Sequence, residues 1–328
     1  MKVGIRIAPS VPLAQTIALA RRAEAAGVSH VWFPDSHLNY RDVWTTLGAV
    51  AAGTDEIGLG PAVTNIITRH PSVVASAART LAESCGDRFV LGIGAGDSAV
   101  GHSGLAHSRS AQLRDGLREL RSWMSGEATG PEQVRLRHGG RVPPVFLAAS
   151  GPRNLRIAGE HADGVITPLP GLAEKQALVA EAAAAAGRAG QVEIAVTTTC
   201  LLSERLDEDA VSLSPYIVRI AQLEGTAMFE RAGVSVDVPD HLVGAAGDMG
   251  HPASLAEAAR SAARFVSPEA AVWYARACTV SGSPADILSR LQELGDAGVH
   301  RVTLACPEGT PEELIDALGS EVLPKIAR

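Results

Sequence analysis

Short apolar runs alternate with amphipathic stretches from the start of the chain. Residues 3–8 read as a strand, and 12–26 carry apolar side chains at helical spacing with Gly27 placed as a C-cap. The pattern then predicts a strand at 30–33, a helix at 43–52, a short strand at 57–59 and a helix from Pro71 to about residue 84, with the proline in its first turn. A fourth strand is expected at 89–93 and an amphipathic helix at 108–124. Strands follow at 145–148, 164–167 and 192–200, separated by helices at 152–160 and 172–187. Residues 203–280 hold several helical stretches and no strand pattern. A helix at 284–297, an eighth strand at 301–305 and a helix at 311–326 complete the chain.

Eight strands alternating with helices indicate a parallel sheet. Closure into a single-domain (β/α)8 TIM barrel is the simplest arrangement, with 203–280 as a helical insertion after strand seven. The alternative is an open doubly wound sheet. It would place a G-x-G-x-x-G after the first strand, and none is there; the G-x-G of Gly94 and Gly96 follows strand four.

Composition narrows the function. Apolar residues make up 46% of the 328 and aromatics only 4%, so small aliphatic side chains fill the core. A net charge of −7 argues against a nucleic-acid partner. No apolar run approaches the roughly 20 residues of a membrane span. The four cysteines are scattered without metal-ligand spacing, which predicts no metal site and reduced thiols in a cytoplasmic protein.

In a barrel, the residues just past each strand's C-terminus carry the chemistry. Here they are Pro34-Asp35-Ser36-His37, then Gly60-Pro61-Ala62-Val63-Thr64-Asn65 with Thr68-Arg69-His70-Pro71, then Gly92-Ile93-Gly94-Ala95-Gly96-Asp97-Ser98, and Ala149-Ser150-Gly151-Pro152. Taken singly, an Asp after a strand is as often a cap, and a glycine as often part of a turn. Asp35, His37 and Asp97 are the candidates for proton handling, an imidazole being the side chain suited to it near neutral pH. Ser150 and Gly151 precede a helix whose free N–H groups suit a phosphate.

These segments, together with Tyr40-Arg41-Asp42-Val43-Trp44, Ala162-Asp163-Gly164 and Gly282-Ser283-Pro284, resemble the luciferase-like flavin and deazaflavin oxidoreductases. Within them the chain is most similar to the methylenetetrahydromethanopterin reductase branch. The resemblance implies a barrel binding coenzyme F420, or alternatively FMN, at its C-terminal face. It implies a non-proline cis peptide at Ala62–Val63 behind the ring, with Thr64 and Asn65 at the ring's polar edge. Gly94, Gly96, Asp97, Ser98, Ser150 and Gly151 would hold the ring and its phosphate-bearing tail. The implied reaction is hydride transfer to or from a small organic substrate, in a homodimer or larger homo-oligomer. A reduced-FMN monooxygenase and a non-catalytic flavin-binding protein are the alternatives. One departure stands out: those reductases carry Glu on the first strand where this chain has Arg6. An arginine does not exchange protons, so Arg6 is expected to bind an anionic substrate or to pair with Asp35 or Asp97.

Overall fold

The structure, a computed structural model, describes residues 1–138, 140–239, 255–307 and 311–326. Its sheet is built of β1 (Lys2–Arg6), β2 (His30–Phe33), β3 (Gly58–Pro61), β4 (Thr64–Asn65), β5 (Leu91–Gly94), β6 (Val145–Ala148), β7 (Gly164–Pro168), β8 (Glu193–Thr199) and β9 (Arg301–Ala305). The order is β3-β2-β1-β9-β8-β7-β6-β5-β4. The registered pairs, Gly4 with His30, Val31 with Leu59 and Leu147 with Val165 among them, are parallel.

The two ends of this order are pieces of one stave. β3 pairs with β2 on one side and reaches the approach to β5 on the other, through a parallel bridge from Leu59 to Phe89 and a bond from the Val90 N–H to the Leu59 carbonyl at 3.0 Å. The chain then leaves the ladder at Ala62–Val63, where the peptide is cis as the resemblance implies, and returns as β4 beside β5. Counting β3 and β4 together gives the eight staves of a (β/α)8 barrel, the expected fold. The sequence pattern does not separate β4, since two residues are too few to show a period.

Strand interiors are buried on both faces, which is why they read as continuous apolar runs. Odd-numbered side chains such as Val31 and Leu91 are fully buried, while Trp32, Val90, Phe146, Ile166 and Ala195 form one cluster. They come from β2, the approach to β5, β6, β7 and β8, and they meet inside the barrel. Below them Arg301 Nε donates to Glu193 Oε2 at 2.7 Å, and the guanidinium lies 5.1 Å from the Phe146 ring centre. His30 Nε2 and Thr303 Oγ1 bond at 3.1 Å. Large side chains face glycines: a Cβ on Gly4 would stand 2.2 Å from the His30 ring, and one on Gly164 2.7 Å from Phe146. The tube is therefore a packed core.

The chain divides into two compact units, Met1–Thr197 with Gly295–Thr303, and Thr198–Leu294 with Leu304–Arg328. The first holds the barrel. The second takes in the expected insertion, of which 240–254 lie outside the described residues. It has its own core, in which Phe229 meets Trp273 edge-on with ring centres 5.6 Å apart, among Leu213, Ile217, Ala271 and Tyr274. The predicted last helix is helical over Pro311–Ala317 and continues as a wider turn, Leu318–Val322, then a tighter one, Leu323–Lys325. Pro324 sits in that last turn, where it lacks the N–H a regular helix needs. No helix among the described residues is long and apolar enough to cross a membrane.

Candidate active site

Two segments leaving neighbouring staves are locked together at the C-terminal mouth. Asp35, just past β2, has a side chain only 1% exposed. Its Oδ2 accepts from Thr64 Oγ1 at 2.7 Å and from Arg69 Nη1 at 3.0 Å. The other guanidinium nitrogen of Arg69, Nη2, reaches Asp42 Oδ2. Asp42 is also the N-cap of the helix Val43–Gly53, accepting from the Thr45 N–H at 2.8 Å. Burial works to raise the Asp42 pKa, but the Thr45 bonds and the Arg69 charge outweigh it and hold the carboxyl below the ordinary range.

The turn that presents Arg69 is built by Asn65. Its Oδ1 accepts from the Ile67 and Thr68 N–H groups at 2.9 and 2.8 Å and from Thr68 Oγ1 at 3.1 Å. This is the local side-chain bonding that makes asparagine a turn former. Thr64 and Asn65 are both buried, and the Thr64 hydroxyl is committed to Asp35.

Asp97 and His37 stand at the surface. His37 Nε2 lies 3.4 Å from Ser103 Oγ, and Ser36 Oγ bonds Ser98 Oγ at 2.8 Å, so the segment after β2 meets the one after β5. Gly96 adopts φ +87°, where a Cβ would also strike Val100 at 2.3 Å, and its carbonyl is 2.8 Å from His107 Nδ1. A cleft of about 500 Å³ opens between these segments, lined by His37, Asp42, Ile67, Thr68, Arg69, Ser103 and Leu105.

The floor beside it is made of small groups. Val63 projects onto β5, and a Cβ on Gly94 would come 2.8 Å from Val63 Cγ2 and 3.4 Å from the Ala148 methyl. A Cβ on Gly92 would meet the Pro61 carbonyl at 2.2 Å. Ser150 and Gly151 are exposed at the start of the helix Pro152–His161, and space near Gly151 is open. In that helix's first turn, Asn154 Oδ1 is buried with no hydrogen-bond partner.

Arg6 ends β1, exposed and in register with Trp32. Two residues back, Gly4 faces the His30 ring, and period two along a strand aims Arg6 into the same interior side, at the mouth. The expected pairing with Asp35 does not form, because Arg69 occupies that carboxylate, and Arg6 makes no ion pair among the described residues. Arg69 and Asp42 are the site residues that sequence reasoning missed as such. Both lie in segments quoted from the sequence, Arg69 past the third strand and Asp42 ahead of a predicted helix as an N-cap, but nothing there singles out either side chain.

A family model described as luciferase-like monooxygenase matches residues 1–301. The chain belongs to this family. As a member it is an oxidoreductase, and its full length has counterparts elsewhere. It is 28% identical to 5,10-methylenetetrahydromethanopterin reductase of Methanolobus tindarius, with 98% of this chain and all of that one covered. Over 195 residues, 52% of this chain and 54% of the relative, it is 33% identical to an F420-dependent hydroxymycolic acid dehydrogenase of Mycobacterium tuberculosis. The solved coenzyme F420-dependent tetrahydromethanopterin reductase of Methanopyrus kandleri shares the fold, with a TM-score of 0.78 at 23% identity and 99% of each chain covered.

Proposed function

We propose that this luciferase-like protein is a coenzyme F420-dependent oxidoreductase acting on a small organic substrate. The observation that carries the reading is a barrel mouth floored by Gly94, Ala148 and Val63, in a chain similar over its whole length to reductases of this class. A planar ring needs a flat, small-residue floor, and this one would be filled by any added Cβ. The buried, unpartnered Asn154 Oδ1 supports the fit, as an acceptor waiting for an O–H or N–H near the mouth.

The deazaflavin, when bound, supplies a two-electron hydride carrier that reacts poorly with oxygen. The protein's part is to bind, orient and exclude water. Ala62, Val63, Thr64 and Asn65 would back the ring, and Gly94, Gly96, Asp97 and Ser98 would border it. Ser150 and Gly151, with the free N–H groups of Arg153 and Asn154 in the first helical turn, would receive the phosphate. His37 and Asp97, both exposed, exchange protons with solvent or substrate, and Asp35 stands behind them, buried. Arg6 offers an uncompensated guanidinium at the mouth to an anionic group on the substrate. For that reason we do not extend the relatives' own substrate to this chain.

Anaerobic titration of the pure protein with oxidised F420 and, separately, with FMN tests this reading. Tight F420 binding with weak FMN binding is expected. A preference for FMN, with oxygen consumed in the presence of its reduced form, would replace hydride transfer by monooxygenation. Failure to bind either would remove the catalytic reading.

A further inference from the structure

We infer that Arg69 is a positioning residue that sets the cofactor floor through Asp35 and Thr64. The inference rests on the F420 reading above and adds a residue that touches neither ring nor substrate in that scheme.

The path runs through three side chains. Arg69 holds two carboxylates, the buried one of Asp35 at 3.0 Å and that of Asp42, which caps a helix. The Oδ2 that receives Arg69 also receives Thr64 Oγ1 at 2.7 Å. Thr64 follows Val63 directly, and Val63 is the side chain that packs over Gly94 and towards Ala148. A carboxylate as buried as Asp35 stays charged only beside a counter-charge. Without Arg69, the buried Asp35 carboxylate would lose its counter-charge and would turn towards water, away from the Thr64 hydroxyl. The floor would lose its tether on the β2 side.

Arg69 also differs in kind from a single-ended cation. Its planar guanidinium serves both acids at once, whereas a lysine at 69 serves one. Arg69→Lys can therefore keep the Asp35 charge while giving up Asp42, and the two losses are separable by measurement.

The test compares Arg69→Met, Arg69→Lys, Thr64→Val and the double variant Arg69→Met/Thr64→Val with the wild-type protein. F420 is the probe, read by its dissociation constant and by the absorption spectrum of the bound form, and thermal melting is followed alongside. Arg69→Met is expected to weaken F420 binding at least tenfold and to shift the bound spectrum towards that of free F420. Arg69→Lys should bind F420 within about threefold of wild type but melt at a lower temperature. The Arg69→Met and Thr64→Val effects should not add in the double variant, because both act through one carboxylate. Unchanged affinity and spectrum in Arg69→Met, or strictly additive losses, would overturn the inference while leaving the F420 reading intact. If the wild-type protein binds no F420, that reading fails instead, and hydrogen exchange of the free protein decides. Faster exchange at residues 62–65 in Arg69→Met and Thr64→Val, but not in Arg69→Lys or Arg41→Met, would support the tether, and unchanged exchange there in Arg69→Met would sink it.

Discussion

Glu193 and Arg301 meet inside the barrel, carboxylate to guanidinium at 2.7 Å, with the Phe146 ring against the guanidinium. Arg301 keeps only 11% of its side chain exposed, against 40% for Glu193. Replacing Glu193 by Gln would strand a buried positive charge. A fully buried pair broken this way costs about 3–5 kcal/mol. Hydration on the Glu193 side reduces this, so a loss of about 2 kcal/mol is expected. Urea unfolding at neutral pH measures it, and a loss under about 0.5 kcal/mol would show that water has already screened the pair.

His30 predicts a pH dependence. Burial, then the charges of Arg301 and Lys2, push its imidazole down from 6.5 to about 3. The unfolded chain therefore binds a proton that the folded protein refuses between those values. Stability is unaffected by this group above pH 6.5 and falls as pH drops through the window, by up to about 1.4 kcal/mol per unit. Glu193 and Asp42, both held below the ordinary carboxylate range against the effect of burial, contribute stability that is lost only at lower pH. His161, also lowered chiefly by burial, adds a slope of the same sign in wild type and variant alike. Between pH 7 and 5, His30→Gln should therefore show a flatter decline in melting temperature than wild type. Equal slopes would mean that His30 is not the titrating group.

Gly94→Ala should disturb both the fold and the floor. The new methyl would lie 2.8 Å from Val63 Cγ2, and overpacking of this kind costs about 1–3 kcal/mol. F420 affinity should fall at least tenfold. Gly48→Ala is the contrast: it lies within the helix Val43–Gly53 with no atom within 4 Å of its added Cβ, and should stabilise by about 0.5–1 kcal/mol. Equal melting temperatures for the two variants would contradict the packing described for Val63.

The thiols should differ in reactivity. Cys85, Cys200 and Cys278 are buried, and burial, with Cys306 nearby, raises the Cys200 pKa strongly; Cys306 is partly exposed. A thiol-specific chromogenic disulfide should label Cys306 in the native protein and all four after unfolding. Rapid native labelling of Cys200 would show that its strand end opens readily.

Arg6→Gln should leave the melting temperature where it is, because no partner among the described residues is lost. A drop of several degrees would place Arg6 in the scaffold and withdraw it from substrate binding.

The fold was legible because most barrel strands are buried on both faces, so apolar runs such as His30–Phe33, ended by Pro34, and Val145–Ala148, opened by Pro144, stand out. The site was legible as a set of segments, since polar residues cluster after those runs. Its wiring was not. Asp35 and Arg69 are 34 positions apart, and a charge pair of that span leaves no periodic trace. Nor does the sequence distinguish Asp35, turned inward to Thr64 and Arg69, from His37 two residues later, turned out to Ser103. Both lie in an irregular segment, where direction follows from tertiary bonds rather than from a repeat.

The axis of the barrel is filled from Arg301 and Glu193 through Phe146 and Trp32 to Ile166. Such a vessel has a single door. On the proposed function, a cofactor lying against the floor would have to arrive before a substrate set above it and would leave after it. Product-inhibition kinetics would register that order as a property of the plugged tube itself.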